Sequence, residues 1–227
     1  MTLAQRLAEV DSKIDAKMAG LGRSDRVVRI VVTKNHPVDL ALELYDLGVR
    51  DFGENRDQEA GPKASALALE GAHGDAKWHF VGQLQSNKAK RVVQYASAIH
   101  SVDRSSLLDA LISATASNET ELDVFLQVNL TDDPNRGGVN PDQLLSMAAQ
   151  IASAQGLNLL GVMAVGGLEV DPRFEFERVA VLSDALRREH PSANQISAGM
   201  SGDYEIALEY GATHLRIGTA ITGNRNY

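Results

Sequence analysis

Two periods alternate along this chain. Short, nearly continuous apolar runs recur from one end to the other, and segments with apolar residues at helical spacing separate them. The first run, Val27-Val28-Arg29-Ile30-Val31-Val32, is β-branched and apolar except at Arg29, the signature of a strand buried on both faces. Behind it, Leu40, Leu44 and Leu47 mark a helix that stops at Gly48, a glycine suited to a helix C-terminus. Further strands are predicted at Val49–Gly53, Trp78–Gly82, Ala98–Val102, Asp123–Leu130, Leu159–Val165, Asn194–Ala198 and His214–Gly218.

Helices are predicted through Leu69, around Lys88 and Val92 with Ser86 as cap, and after Asp103 as N-cap. Others follow the cap-then-proline pairs Asn140-Pro141 and Asp171-Pro172, and one runs over Asp203–Tyr210 with Ser201 as cap. Leu3, Leu7, Val10, Ile14 and Met18 place an amphipathic helix over residues 1–22, with one face built for packing. Strand-then-helix units repeat without a Pro/Gly/Ser-rich linker over 227 residues. This predicts an α/β chain folded as a single (β/α)8 TIM barrel, one domain over 1–227, with an extra N-terminal helix packed on the barrel. The alternative, a doubly wound open sheet, would normally carry a Gly-rich dinucleotide fingerprint after its first strand, and none is present.

A barrel gathers the residues at its strand C-termini on one face. Here these are Lys34, Asn55, His79 with Gln83, Ser101, Asn129, Met163, Ser197 and Arg216. Lys34 is the lysine in that set. It suits Schiff-base chemistry, although a lysine at a strand end also serves simply to snorkel into water. The loops Ser197–Gly202 and Ile217–Thr219 fall where barrels often bind phosphate, with Ser197, Ser201, Gly218 and Thr219 offering hydroxyls and unhindered N–H groups. Read blandly, they are ordinary turns with Ser201 as a cap. Lysine and phosphate-type loops together match a phosphate-bearing aldehyde, of which pyridoxal phosphate is the commonest cofactor.

Composition narrows the choice. The net charge of −8 disfavours non-specific nucleic-acid binding, and Lys88-Ala89-Lys90-Arg91 reads as a solvated helix face. The absence of Cys removes disulfides, thiolate catalysis and thiolate metal sites. His36, His73, His79, His100, His190 and His214 have no metal-ligand spacing, so no metal is expected. No apolar run approaches a membrane span and no targeting segment is evident, so a soluble, cytoplasmic protein is expected.

On particular segments the chain resembles the pyridoxal phosphate homeostasis protein family, whose fold is similar to the barrel domain of alanine racemase. The segments are Val32-Thr33-Lys34, Asp51-Phe52-Gly53-Glu54-Asn55 with Gln58-Glu59, and the run from Trp78 to Lys88. His100-Ser101-Val102-Asp103, Gln127-Val128-Asn129, Gly199 to Glu205 and Arg216 to Ala220 complete the set. They cover nearly the whole chain in order. The resemblance implies pyridoxal 5'-phosphate held on Lys34 as a Schiff base, with Ser197, Ser201, Gly218 and Thr219 around the phosphate and Met200 also among the cofactor-binding residues. It also puts Arg216 on the pyridine nitrogen and Asn55 at the pocket wall. Two loops depart from the family pattern, Thr131–Gly137 and Met163–Leu168, which puts ligand contacts from them in doubt.

Two functions are compatible with such a site. One is a carrier that buffers the cofactor for intracellular pyridoxal phosphate and amino-acid homeostasis, without robust catalysis, and delivers it to apo forms of pyridoxal-phosphate enzymes. The other is an amino-acid racemase, which needs an acid/base group on each face of the substrate Cα. In the resembling racemases the second group is a tyrosine from a C-terminal domain. The eighth predicted strand lies close to Tyr227, so that domain is expected to be missing. None of Tyr45, Tyr95, Tyr204, Tyr210 and Tyr227 falls at a predicted strand end, and His79 is the nearby substitute. The carrier is therefore the favoured reading, and loss of the second domain's dimer interface points to a monomer. A barrel aldolase would need a lysine on a later strand.

Overall fold

In the computed structural model, parallel strands close into a barrel in the order β1-β2-β3-β4-β5-β6-β7-β8, with β8 paired to β1. Residues 1–69, 74–131, 133, 136–166 and 170–223 are described. The strands are β1 Val28–Val32, β2 Asp51–Glu54, β3 Lys77–Phe80, β4 Ala96–Val102, β5 Leu122–Gln127, β6 Leu157–Met163, β7 Gln195–Ser197 and β8 His214–Ile217. Helices α1 Leu3–Gly20, α2 Val38–Asp46, α3 Asp57–Leu69, α4 Ala89–Val92, α5 Ser105–Asn118, α6 Leu144–Ala152, α7 Pro172–Glu189, α8 Tyr204–Glu209 and α9 Thr219–Thr222 surround them. The expected barrel with an added N-terminal helix is the observed one.

The differences are local. Two expected caps have other partners. Helix α5 starts after Arg104 with no side-chain cap, while Asp103 accepts from the Gly138 N–H at 3.2 Å and pairs with Arg104. Helix α8 starts after Asp203, also uncapped, and Ser201 turns elsewhere. Asn140 and Asp171 do cap, accepting from Asp142 and Arg173. Strand β5 stops at Gln127, three residues earlier than its apolar run; Val128 still donates to the Met163 carbonyl at 2.9 Å but bridges Val139 as well. Parts of the two loops that depart from the family pattern, residues 132, 134–135 and 167–169, lie outside the described residues.

Helix α1 begins with a reciprocal capping box between Thr2 and Gln5. It buries Leu3, Leu7, Val10, Ile14 and Met18, each contributing about 1.5–3 kcal/mol. The face they form packs on α8 and α9. Arg6 donates to the carbonyls of Ile221 at 2.6 Å and Thr222 at 3.4 Å, satisfying groups at the α9 C-terminus. Lys17 pairs with Glu209 of α8 at 2.5 Å. The helix that precedes the barrel thus braces the elements following β7 and β8.

Barrel interiors are usually filled by branched aliphatic side chains. This one holds a polar and aromatic cluster instead. His100 stacks on Phe125 at 4.4 Å, and Phe125 meets His214 edge-on at 4.9 Å. His79 lies edge-on to His100 at 5.2 Å.

Candidate functional site

Strand β1 pairs with β2 on one side and β8 on the other, so the turn beyond its end lies between theirs. Thr33 continues the ladder by donating its N–H to Gly53 at 3.0 Å, and His36 closes the turn on the Thr33 carbonyl at 3.1 Å. Between them Asn35 has φ of 60°, a left-handed conformation that asparagine tolerates better than most residues. Its N–H is held by the Glu59 carboxylate of α3.

Under this turn lies a buried ion pair. Lys63 of α3 donates to Glu54 Oε1 at 2.6 Å and to the Thr33 carbonyl at 2.9 Å, and Thr33 Oγ1 donates to the same Glu54 oxygen at 2.7 Å. The second oxygen, Glu54 Oε2, is buried without a hydrogen-bond partner among the described residues. The backbone on both sides of Lys34 is therefore pinned, while the Lys34 side chain is exposed. Position is set by the backbone, and the amine stays accessible.

The adjoining strand ends form a turn of different character. Ser201 Oγ accepts from the N–H groups of Gly218 and Ala220, both at 3.2 Å. Gly218 lies against β1, where an added Cβ would sit 3.5 Å from the Val32 carbonyl oxygen. Gly199 has φ of +90°, and a Cβ there would approach Ala207 Cβ to 2.8 Å, so the turn requires glycine. Its carbonyl accepts the Arg216 N–H at 2.9 Å. Met200 comes next, exposed, with its N–H on Asp203 Oδ1 at 2.5 Å. Thr219 is exposed at the start of α9.

Arg216 is 5% exposed. Its Nη1 donates to Ser197 Oγ at 2.7 Å and its Nη2 to the Ala164 carbonyl at 2.8 Å. Neither acceptor is a carboxylate, and no carboxylate pairs with Arg216 among the described residues. Burial pushes its pKa down to about 10, against the pull of Asp203, so the guanidinium stays charged at neutral pH.

Lys34, Asn55, Met200, Ser201, Gly218 and Thr219 thus all follow strand C-termini at one mouth of the barrel. Ser197 departs from its expected place at the phosphate. It is fully buried, and its hydroxyl is engaged by Arg216 and by His100 Nδ1 at 2.8 Å. A serine in a Ser-Ala-Gly-Met-Ser run reads as a loop residue, but at the last position of β7 its side chain points into the barrel. His79 departs likewise. It does not reach the mouth with Gln83 but turns inward, between His100 and Asp51. Asn129 holds its own loop, donating to the carbonyls of Asp133 and Arg136, and Ser101 is buried with no partner for Oγ among the described residues. Beside Asn55, Gly82 packs so closely that a Cβ would fall 2.4 Å from the Asn55 carbonyl oxygen. There a groove of about 770 Å³ runs along Gln58, Glu59, Gln83, Lys88 and Arg104, without Lys34.

Sequence reasoning passed over Glu54 and Lys63. A carboxylate directly after an apolar strand, with a lysine two helical turns into the next helix, was the available signal. Among the described residues no cluster of His, Asp and Glu has the arrangement to hold a metal ion, and no helix is long and apolar enough to cross a membrane.

The family described as "Alanine racemase, N-terminal domain" matches residues 14–226. The pyridoxal phosphate homeostasis protein of Mycobacterium bovis is 36% identical over 239 residues, covering 98% of this chain and 93% of the relative. The structure of PipY from Synechococcus elongatus without PLP superposes with a TM-score of 0.87 at 33% identity, covering 98% of this chain and all of PipY. The same protein with PLP bound gives a TM-score of 0.86 at 32% identity and 98% coverage.

Proposed function

The chain belongs to the pyridoxal phosphate homeostasis protein family, built on the alanine racemase N-terminal fold, and from that premise we propose that it binds pyridoxal phosphate reversibly on Lys34 through a Schiff base. In this reading it buffers the cofactor in the cytoplasm as a monomer, serves intracellular pyridoxal phosphate and amino-acid homeostasis, and hands the cofactor to apo enzymes without robust catalysis of its own.

One arrangement carries the reading: exposed Lys34 leaves β1 beside the Ser201–Gly218–Thr219 turn, with buried Arg216, which has no carboxylate hydrogen-bonded to it among the described residues, two residues before Gly218. The residues fit the group. Lys34 supplies an amine held by a pinned backbone. Ser201, Gly218 and Thr219 supply hydroxyls and backbone N–H groups for a phosphate, with Met200 and Asn55 as walls. Ser197 stands behind Arg216 rather than at the phosphate. When bound, pyridoxal phosphate supplies a reactive aldehyde on a conjugated pyridine ring. A guanidinium has no acceptor and remains protonated, so Arg216 at the ring nitrogen keeps that nitrogen unprotonated and makes the ring a weak electron sink. That supports storage over carbanion chemistry.

The racemase alternative needs a second acid/base group at the substrate. His79, the candidate substitute, has both ring nitrogens engaged, with Asp51 and His100 at 3.0 Å. This supports the carrier.

The test is an absorption spectrum after incubation with pyridoxal phosphate, then borohydride reduction and peptide mapping, for wild type and Lys34→Ala. A band near about 420 nm that reduction locks onto Lys34, and that Lys34→Ala lacks, is expected. A wild type that stays colourless would refute the proposal. Racemisation of free amino acids by the loaded protein would shift the reading to the alternative.

A further inference from the structure

Arg216 is not an isolated buried cation. Its Nη1 reaches Ser197 Oγ at 2.7 Å, Ser197 Oγ lies 2.8 Å from His100 Nδ1, His100 Nε2 lies 3.0 Å from His79 Nδ1, and His79 Nε2 lies 3.0 Å from Asp51 Oδ1. The residues come from β8, β7, β4, β3 and β2, so the chain of hydrogen bonds crosses the barrel interior. It starts beneath the proposed cofactor site and ends at the opposite mouth. There Asp51 and His79 line a cavity of about 360 Å³ together with Arg26, Lys77 and His214.

The ends of this chain fix its direction. A guanidinium only donates, so Ser197 Oγ accepts from Arg216. The Ser197 proton then goes to His100 Nδ1, which must be the bare nitrogen of that ring. The His100 proton sits on Nε2 and is donated to His79 Nδ1, and the His79 proton sits on Nε2 and is donated to Asp51. At that end a carboxylate only accepts. Burial opposes ionisation of Asp51, but its His79 hydrogen bond and the nearby Lys77 and Arg26 charges favour the carboxylate, and its pKa lies below the ordinary value. Burial, with the neighbouring cationic groups, holds His100 well below its ordinary value. With both rings neutral, any reversal of one ring leaves a link with two protons or none. Every dipole therefore points from the cation to the carboxylate, which joins Asp203 as a counter-charge for Arg216, the one reached through hydrogen bonds.

We propose that Asp51, His79 and His100 are positioning residues for bound pyridoxal phosphate, acting through Ser197 to hold the Arg216 guanidinium in one orientation at the ring nitrogen. This rests on the placement of Arg216 proposed above. Filling a barrel core needs no polar chain, since aliphatic residues do so without desolvating charges. A buried polar network is tolerated when every member is satisfied, and with neutral rings this one is satisfied in a single proton arrangement. Its consequence is a coupling between the lower mouth and the cofactor's ring.

Two measurements on the full-length protein test it. First, long-range 1H–15N spectra of the 15N-histidine-labelled apoprotein report the tautomers. Nε2–H at both His79 and His100 is expected, and Nδ1–H or a doubly protonated ring at His100 would overturn the chain. This measurement needs no variant and no cofactor. Second, pyridoxal phosphate affinity and the absorption maximum are compared for wild type, Asp51→Asn, Ser197→Ala and the double variant. Asp51→Asn is expected to weaken binding about tenfold and shift the band when Ser197 is present, and to have little effect once Ser197→Ala has cut the chain. Equal effects in both backgrounds would overturn the coupling while leaving the proposed function intact. A wild type that takes up no pyridoxal phosphate overturns the proposed function and takes this inference with it, a pattern distinct from additivity.

Discussion

Two buried cations, Lys63 and Arg216, are each 5% exposed, yet they are treated in opposite ways. Lys63 is neutralised on the spot, with Glu54 at 2.6 Å and a backbone carbonyl at 2.9 Å. Among the described residues the Arg216 guanidinium donates to a serine hydroxyl and a carbonyl and to no carboxylate, and its hydrogen-bonded route to a carboxylate runs through Ser197, His100 and His79. A cation whose work is to hold a turn is best compensated locally, because its field then ends where it starts. A cation that must act on something outside the chain is best left uncompensated on that side, with its support behind it. The Lys34 turn rests on the first arrangement and the proposed ring-nitrogen contact on the second.

The largest test of that contrast is Glu54→Gln. It leaves Lys63 buried without its carboxylate and is expected to cost about 3–5 kcal/mol in chemical unfolding. Replacing both partners with apolar residues of similar size, Glu54→Leu with Lys63→Met, is expected to recover most of that loss. A Glu54→Gln protein as stable as wild type would show that the ion pair is not what pins the turn.

The interior chain and its neighbours predict a pH-dependent effect. Burial above all pushes His214 down to about 3 from 6.5, and burial also lowers His100 well below its ordinary value. Below pH 6.5 the unfolded chain protonates both rings while the folded chain does not. The unfolded state thus takes up more protons, and stability falls as pH drops from 6.5 towards 3. For His214 the slope approaches about 1.4 kcal/mol per pH unit within that window, and His100 adds to it in the same direction. Denaturant melts of wild type and His214→Phe at several pH values check it, the variant losing one histidine's share. A pH-independent stability between 4 and 6 would contradict the burial of these rings as neutral groups.

The smallest expected effect is on Lys34 itself. Its side chain is exposed, so Lys34→Ala is expected to change unfolding free energy by less than about 0.5 kcal/mol while abolishing cofactor retention. A large loss of stability would mean that Lys34 belongs with Lys63 as a structural lysine.

Much of the fold was legible because its signals are local. The β-branched run ending at Val32 marked β1 and put Lys34 just past it. The helix-spaced Leu40, Leu44 and Leu47 with Gly48 marked α2, and Asn140-Pro141 and Asp171-Pro172 marked real helix starts. Caps that failed did so because a tertiary partner displaced the local one. Asp103 went to Gly138, and Ser201 to Gly218 and Ala220. Of the candidate site, the mouth residues were legible by their place at strand ends. Ser197 was not, because its hydroxyl was claimed by His100, 97 positions away, and by Arg216.

By itself, then, the sequence determined the alternation of strands and helices, the closure into a barrel, and which residues stand at its mouth. Those features arise from residue-by-residue periodicity and from backbone signals acting over a few positions. Only the tertiary structure decided how the buried polar groups are matched: Glu54 with Lys63 under the Lys34 turn, and Asp51, His79, His100 and Ser197 behind Arg216. Partner choice there is a matter of a few tenths of an ångström and of proton direction inside a closed barrel. No sequence spacing encodes which side chains will meet across it.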